Sequence, residues 1–288
     1  MRGSNVRRNQ TDYEVMMKSD FDLIVHRLPE RKEIKLFFVG DLHVGSIECN
    51  MRAWEFFCQQ VLDDPNCYLA ILGDMMDNGT KSSVTNCHEA LLRPREQKKY
   101  LVQALKPLVP RITALCSGNH EQRSANRDCD DDPLYDVACK LDIEDLFRQN
   151  ACFVKLCIGE RANGNQKKKP VQSYVYCMTH GSGGGGLTGA GVNRAERFAT
   201  GVLEGVDIFA SGHVHKGVIS KPSKIVVDPT RNTIQQKTIT VVSVCPWLSY
   251  GGYALRGMMT PASAQDPEQP QTLLLSGQRD KRYIKTVW

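Results

Sequence analysis

The sequence contains no CxxC pair, no internal repeat, and no low-complexity tract beyond a single run of glycines. No apolar stretch approaches the roughly 20 residues that a membrane-spanning helix requires, which excludes a helical membrane protein. The opening MRGSNVRRNQTDYEV is basic but has no apolar segment behind it, so a secretory signal is not expected. Cysteines number eleven, an odd count, and Cys58, Cys116, Cys157, Cys177 and Cys245 lie within apolar stretches. A free thiol in such a place behaves as a small hydrophobe, so the pattern fits a reducing cytoplasm better than a disulfide-stapled scaffold.

What is present is ordinary for a globular chain: 288 residues, 41% hydrophobic and 24% charged, which excludes wholesale disorder. The net charge of +5 is uneven, because residues 155–169 and the tail 279–288 supply most of the basic excess. Such basic tips permit a polyanionic partner such as nucleic acid, although a solvated loop is their usual role.

The first 33 residues are mixed and charged and are expected to form an N-terminal arm with at most one short element. Residues 34–288 are expected to form a single domain, with a polar insert near 79–94 and a basic hairpin loop near 159–170. IKLFFVG (34–40), YLAILGD (68–74), RITALCSGNH (111–120) and VDIFASGH (206–213) are apolar runs that end in polar residues, as strands buried on both faces do. MRAWEFFCQQVL (51–62) places Trp54, Phe57, Cys58, Val61 and Leu62 on one helical face. Further helices are expected near 95–107 and 193–204. Of the acidic run Asp128, Asp130, Asp131 and Asp132, the last precedes Pro133 and reads as the N-cap of a helix to about Arg148 rather than as a metal site. ACFVKLCIGE and VQSYVYCMTHG flank RANGNQKKK as a hairpin, and 225–244 reads as a second hairpin turning at PTRN. RYIKTVW reads as a closing strand. Alternating strands and helices followed by hairpins predict an α/β fold of mixed sheets covered by helices.

Polar residues gather just beyond the strand ends, where open α/β sheets place their ligands. Five segments stand out: Gly40-Asp41-Leu42-His43, Gly73-Asp74-Met75-Met76-Asp77-Asn78, Gly118-Asn119-His120-Glu121, Thr179-His180-Gly181 and Gly212-His213-Val214-His215. They hold five of the seven histidines. Carboxylate, imidazole and amide oxygen without thiolate suit borderline to hard divalent ions rather than a structural zinc.

The ordered set DxH, GDxxD, GNHE, H and GHxH over residues 34–216 resembles the calcineurin-like metallophosphoesterases. The resemblance implies a four-layer α/β/β/α sandwich of two mixed sheets flanked by helices. It further implies two divalent metal ions, with Mn²⁺ the leading choice over Fe²⁺, Zn²⁺ and Mg²⁺. Asp41, His43 and His215 would hold one ion, Asn119, His180 and His213 the other, and Asp74 would bridge. Two ions about 3.5–4 Å apart can hold a hydroxide between them and set up in-line attack on phosphorus. His120 would face the scissile phosphate as general acid or charge stabiliser, and Asp77 would hydrogen-bond its imidazole and raise its pKa.

Other residues carry weaker signals. His26 and His88 read as satisfied polar residues, with His88 in the polar insert kept as a substrate contact. Glu121 is equally suited to the site and to bracing its loop. The glycine run after His180, Gly183 included, is either a flexible turn or a phosphate cradle. Arg123 could clamp a phosphate oxygen. Tyr250 and Tyr253 could stack on a base, although core packing is the commoner fate.

The Ser/Thr protein phosphatase branch carries arginines where this chain has Asn78 and Ser117. Without those charges, binding of a phosphate monoester dianion loses its main support. The chain agrees by that absence with the branch of repair nucleases and small phosphodiesterases. Its polar insert, followed by Arg93, Arg95, Lys98 and Lys99, resembles phage- and prophage-encoded members. The expectation is a cytoplasmic phosphodiesterase, a nuclease acting on DNA. The alternatives are a phosphomonoesterase or nucleotide phosphohydrolase, and a catalytically inert scaffold on the same fold.

Overall fold

The computed structural model describes residues 19–80, 83, 89–125, 131–161, 169–183, 189–256, 258, 260–261 and 264–288. In chain order the first half contains β1 (Ile24–Leu28), β2 (Glu33–Val39), α1 (Met51–Asp63), β3 (Cys67–Ile71), α2 (Pro94–Leu105), β4 (Ile112–Cys116), α3 (Asn119–Arg123), α4 (Pro133–Lys140) and β5 (Phe147–Arg148). The second half contains β6 (Ala151–Arg161), β7 (Lys169–Thr179), α5 (Ala190–Gly201), β8 (Ile208–Ser211), β9 (Val218–Ser220), β10 (Ser223–Asp228) and β11 (Thr233–Thr238). It closes with β12 (Thr240–Ser243), α6 (Gly252–Arg256), β13 (Thr272–Ser276) and β14 (Ile284–Val287).

Two six-stranded sheets form, in the orders β14-β13-β2-β3-β4-β5 and β1-β6-β7-β8-β12-β9, and β10 and β11 make a separate two-stranded ribbon. Both large sheets are mixed. Strands β2 to β5 run parallel, whereas β13 joins β2 antiparallel.

Side-chain alternation explains the continuous apolar runs. In β2, Ile34, Leu36 and Phe38 point between the sheets, while Phe37 and Val39 point to the opposite face under α1. The inter-sheet core also takes Tyr68, Ala70, Tyr174, Tyr176, Ile208 and Val242. A second core lies between the first sheet and helices α1, α2 and α4, and a smaller one sits under α5 with Ala195, Ala199, Phe209 and Val241. The layers are therefore helix, sheet, sheet, helix, as the resemblance implied.

Local differences from the sequence expectations have physical causes. α4 stops at Lys140 and not near Arg148. The amide N–H of Ile143 donates to the Ala138 carbonyl (3.0 Å) and that of Asp142 to Cys139 (3.2 Å), a Schellman ending with Asp142 at φ 55° where glycine is usual. The hairpin expected over 225–244 ends at Thr238, and β12 lies parallel to β8 in the large sheet. The turn at PTRN is present, held by the Asp228 carboxylate accepting from the amides of Thr230 and Arg231 (3.0 Å each). β13, whose residues carry no expectation above, supplies the antiparallel neighbour of β2.

β1 is the short element of the first 33 residues and pairs parallel with β6. Its His26 donates from Nε2 to the Thr113 carbonyl (2.7 Å) and is a satisfied structural residue. Asp132 caps α4, accepting from the amides of Leu134 and Tyr135. All nine cysteines among the described residues are free thiols. Among these residues no helix is long and apolar enough to cross a membrane.

Candidate metal centre

The five polar segments leave strands of both sheets at one end of the sandwich. Asp41 and His43 follow β2, Asp74 and Asp77 follow β3, Asn119 and His120 open α3 after β4, His180 follows β7, and His213 and His215 follow β8. Their loops are tightly bent. Asp41, His43, Asp74, Asn78, His213 and His215 all have φ between 41° and 69°, a left-handed conformation unusual for side chains with a Cβ. Such outliers cost of order 1–3 kcal/mol each and persist where the surroundings over-determine them.

The surroundings here do so. Glu121, fully buried, accepts from the amides of Asp74 (2.8 Å), Gly118 (2.9 Å) and Met76 (3.1 Å), and so braces the second and third motifs together. Of its two suggested roles, the loop brace is the one the structure shows. Burial and the neighbouring Asp74 charge raise its pKa to about 7. Gly73 has φ 79°, and a Cβ there would lie 2.1 Å from the Gly118 nitrogen. Trp247 donates its amide to the Asp41 carbonyl (3.1 Å) and accepts from Asn50 (2.8 Å), tying the first motif to the start of α1. Gln97 of α2 accepts from the Asn78 amide (2.9 Å). Nothing in the sequence marked them: Trp247 reads as an ordinary apolar residue, and Gln97 stands in the charged run Arg95-Glu96-Gln97-Lys98-Lys99.

All seven side chains implied as ligands converge. His43 Nε2 and His215 Nε2 are 3.3 Å apart, and His215 Nε2 is 3.2 Å from Asp41 Oδ1. Asp74 Oδ2 lies 3.2 Å from His180 Nε2 and 3.7 Å from His43 Nε2. Asn119 Oδ1 is 2.9 Å from His180 Nε2 and 2.7 Å from His213 Nδ1. Three groups have ligand atoms close enough to share one cation: Asp41–His43–His215, His43–Asp74–His120 and Asp74–His180–His213.

The donor chemistry fits divalent ions. His180 gives its Nδ1 proton to the Leu72 carbonyl (2.8 Å), which leaves the Nε2 lone pair directed at two oxygens. Facing lone pairs repel unless a proton or a cation stands between them. Burial opposes a charge on His180, but Asp74 and Asp41 outweigh it and lift its pKa to about 10. His215 is raised by Asp41 in the same way, whereas burial and the neighbouring His120 hold His43 well below its ordinary value. The centre thus attracts positive charge without having enough protons to share.

His120 donates from Nδ1 to the backbone carbonyl of Asp77 (2.8 Å); the Asp77 carboxylate stands 3.6 Å from the same nitrogen. The expected pairing is therefore made mainly through the main chain. Nor is the His120 pKa raised: burial pulls it down and Arg123 adds to the fall, more than Asp74 and Asp77 offset. Arg123 donates to His120 Nε2 (2.8 Å) and to the Asp77 carbonyl (3.3 Å).

Asn78 and Ser117 are engaged within the protein. Asn78 Nδ2 donates to the His120 carbonyl and to Ser124 Oγ (2.8 Å each), and Ser117 hydrogen-bonds Asp132. Lys98 pairs with Asp136 (2.6 Å) and Asp131 (3.5 Å), so the basic stretch beginning at Arg93 is partly neutralised. A Cβ on Gly183 would collide with the Arg194 guanidinium, which reaches the Ser182 carbonyl from α5. The remaining glycines of that run, His88, the tip of the basic hairpin and the Tyr253 side chain lie outside the described residues. Tyr250 is 44% exposed and is not a core residue.

The family model for calcineurin-like phosphoesterases matches residues 34–217, a span containing every one of these motifs. The chain belongs to that family. Membership makes it a metal-dependent phosphoester hydrolase. No curated protein matches this phosphoesterase. Among solved structures it is similar to a metallophosphoesterase from Sphaerobacter thermophilus (12% identity, TM-score 0.37, covering 88% of this chain and 89% of that one). It is also similar to TT1561 of Thermus thermophilus (8%, 0.33, 88% and 98%) and to GAP50, the anchor in the inner membrane complex of Plasmodium (10%, 0.34, 89% and 89%).

Proposed function

We propose that this phosphoesterase holds two divalent cations, Mn²⁺ by preference, and hydrolyses phosphodiesters in DNA, acting in the cytoplasm. Asp41, His43 and His215 hold one ion, Asn119, His180 and His213 the other, and Asp74 serves both. The observation that carries the assignment is that one oxygen of Asp74, Oδ2, lies 3.7 Å from His43 Nε2 of the first set and 3.2 Å from His180 Nε2 of the second. When bound, such ions neutralise phosphate oxygens and lower the pKa of a water to generate a nucleophile.

The chain's own groups do the rest. The Asp77 carbonyl holds the Nδ1 proton of His120, and Nε2 accepts from Arg123. When Nε2 releases Arg123 and takes up a proton, the imidazolium can pass that proton to the leaving oxygen and return to this neutral form. Arg123 holds that imidazole in place and brings a positive charge beside it, within reach of a phosphate oxygen. Glu121 keeps Asp74 and the His120 loop in register.

The preference for a diester follows from charge. With Asn78 and Ser117 turned inward, Arg123 is the arginine placed against His120. One guanidinium suits the single charge of a diester better than the two of a monoester. Hydrolysis of bis-p-nitrophenyl phosphate and p-nitrophenyl phosphate with Mn²⁺ compares the two directly. Faster diester turnover is expected, and faster monoester turnover would replace this reading by a phosphomonoesterase or nucleotide hydrolase. Failure to retain any transition metal after reconstitution would indicate the inert scaffold.

A further inference from the structure

We propose that the β10–β11 ribbon and the adjoining β9–β14 edge form a binding track for duplex DNA leading to the metal centre; this rests on the nuclease reading. Residues 216–238 carry a net charge of +4 and residues 279–288 a net +3, which together exceed the +5 of the whole chain. The rest of the protein, taken together, is therefore slightly acidic.

The fold puts the two segments side by side. β9 and β14 are outer strands of the two sheets. Lys221 Nζ donates to the Ile284 carbonyl (3.4 Å), and Gly217 lies against the Trp288 ring. Their lysines are uncommitted: Lys216, Lys224, Lys237 and Lys281 form no ion pair with any described residue, although Arg231 and Arg282 do.

Register adds a second observation. Lys224 and Lys237 are direct cross-strand partners, and like charges in that position destabilise a ribbon. The ribbon pairs with no other strand among the described residues, so no neighbouring strand imposes the arrangement. A polyanion laid along this face turns the repulsion into attraction.

Dimensions favour a duplex over a small ligand. Lys216 directly follows His215, and the chain from Val218 to Asp228 reaches up to about 35 Å at about 3.3 Å per residue. That is close to one helical turn of B-DNA, whose major groove admits a two-stranded β-ribbon. A mononucleotide or dinucleotide would touch only the metal end.

The test compares wild type with K224E/K237E and the milder K224Q/K237Q. Duplex DNA binding is measured in Ca²⁺ over a salt series, together with bis-p-nitrophenyl phosphate hydrolysis in Mn²⁺ and thermal melting. Expected results are a loss of about tenfold or more in duplex affinity for the glutamate variant and a salt slope lower by about 2. Diester turnover should stay within error, melting of the glutamine variant should equal or exceed that of wild type because the cross-strand repulsion is gone, and that variant should show the same loss of slope. Unchanged affinity and slope in both variants, with wild type still cleaving DNA, would overturn the track alone. A wild type that hydrolyses the small diester yet neither binds nor cleaves DNA would overturn the nuclease reading and the track together. Tighter binding of duplex RNA than of DNA would overturn the choice of partner.

Discussion

Asp74 and His120 are neighbours with separable jobs. Asp74 presents one oxygen to His180 and His43, while its other oxygen accepts the His120 amide (2.8 Å). Replacing it with alanine removes the only carboxylate that two of the candidate groups share among the described residues, so Asp74→Ala should lose both metal content and activity. His120→Ala should keep its metals, measured by elemental analysis, and lose about 10²–10⁴ in turnover. Equal metal loss in the two variants would move His120 into the ligand set, to which the His43–Asp74–His120 grouping would then belong. Glu121 allows a different prediction. Truncation to alanine leaves the amides of Asp74, Gly118 and Met76 without their acceptor, and each buried unpaired donor costs about 1–3 kcal/mol. Urea unfolding should show a large loss for Glu121→Ala and a smaller one for Glu121→Gln, whose amide retains one accepting oxygen. The convergence of these carboxylate, imidazole and amide side chains was legible in the sequence because a cation site dictates such donor types at strand ends. Glu121 was legible as one of two roles, site member or loop brace, whereas Trp247 and Gln97 were not, because a brace needs no characteristic spacing.

Loops rather than strands limit what can be changed at the level of elements. The turns after β3 and β4 touch through Gly73, where a Cβ would meet both the nitrogen and the Cα of Gly118. Gly73→Ala combines this collision with a left-handed φ, so it should lower the melting temperature and weaken metal binding, even though no ligand is altered. Normal metal affinity in that variant would show that the two turns can move apart freely. At the opposite end of the sheets, His26 joins β1 to β4 through the Thr113 carbonyl. Burial pushes its pKa below the ordinary 6.5, outweighing that hydrogen bond. Between that lowered value and 6.5 the unfolded chain binds the proton more readily, so acid favours unfolding. The stability of wild type relative to His26→Gln, which keeps a donor but cannot titrate, should therefore fall as pH drops through 6.5; a constant difference in urea melts would refute it. Strands were readable wherever both faces are buried, as in β2 and β3. The end of α4 was not, since Asp142 adopts a conformation that only glycine advertises in sequence. β12 was merged into a hairpin because Ile239 to Val244 continues the β11 pattern without a break.

For the whole molecule, the metal centre works against the fold until cations arrive. It gathers four imidazoles and two carboxylates, the proposed ligands, at one end of two sheets, on loops that include six left-handed non-glycine residues. Those loops hold their shape against His43–His215 and His43–His120 nitrogen contacts of 3.3 Å that only a proton or a cation can make favourable. A ligand that binds the folded state alone stabilises it by RT ln(1 + [L]/Kd), about 2.7 kcal/mol at one hundred times Kd. For a domain of this size each kcal/mol moves the melting temperature by roughly 2–4 °C, so Mn²⁺ at that excess should raise it by roughly 5–10 °C over the chelated protein. Asp74→Ala should abolish most of the difference, because in the proposed assignment that carboxylate serves both ions. His120→Ala should preserve it, because the proposed ligand set does not include that imidazole. A metal-dependent shift that survives in Asp74→Ala would mean that the stabilising cation binds away from this centre, and the assignment of all seven ligands would have to be revised.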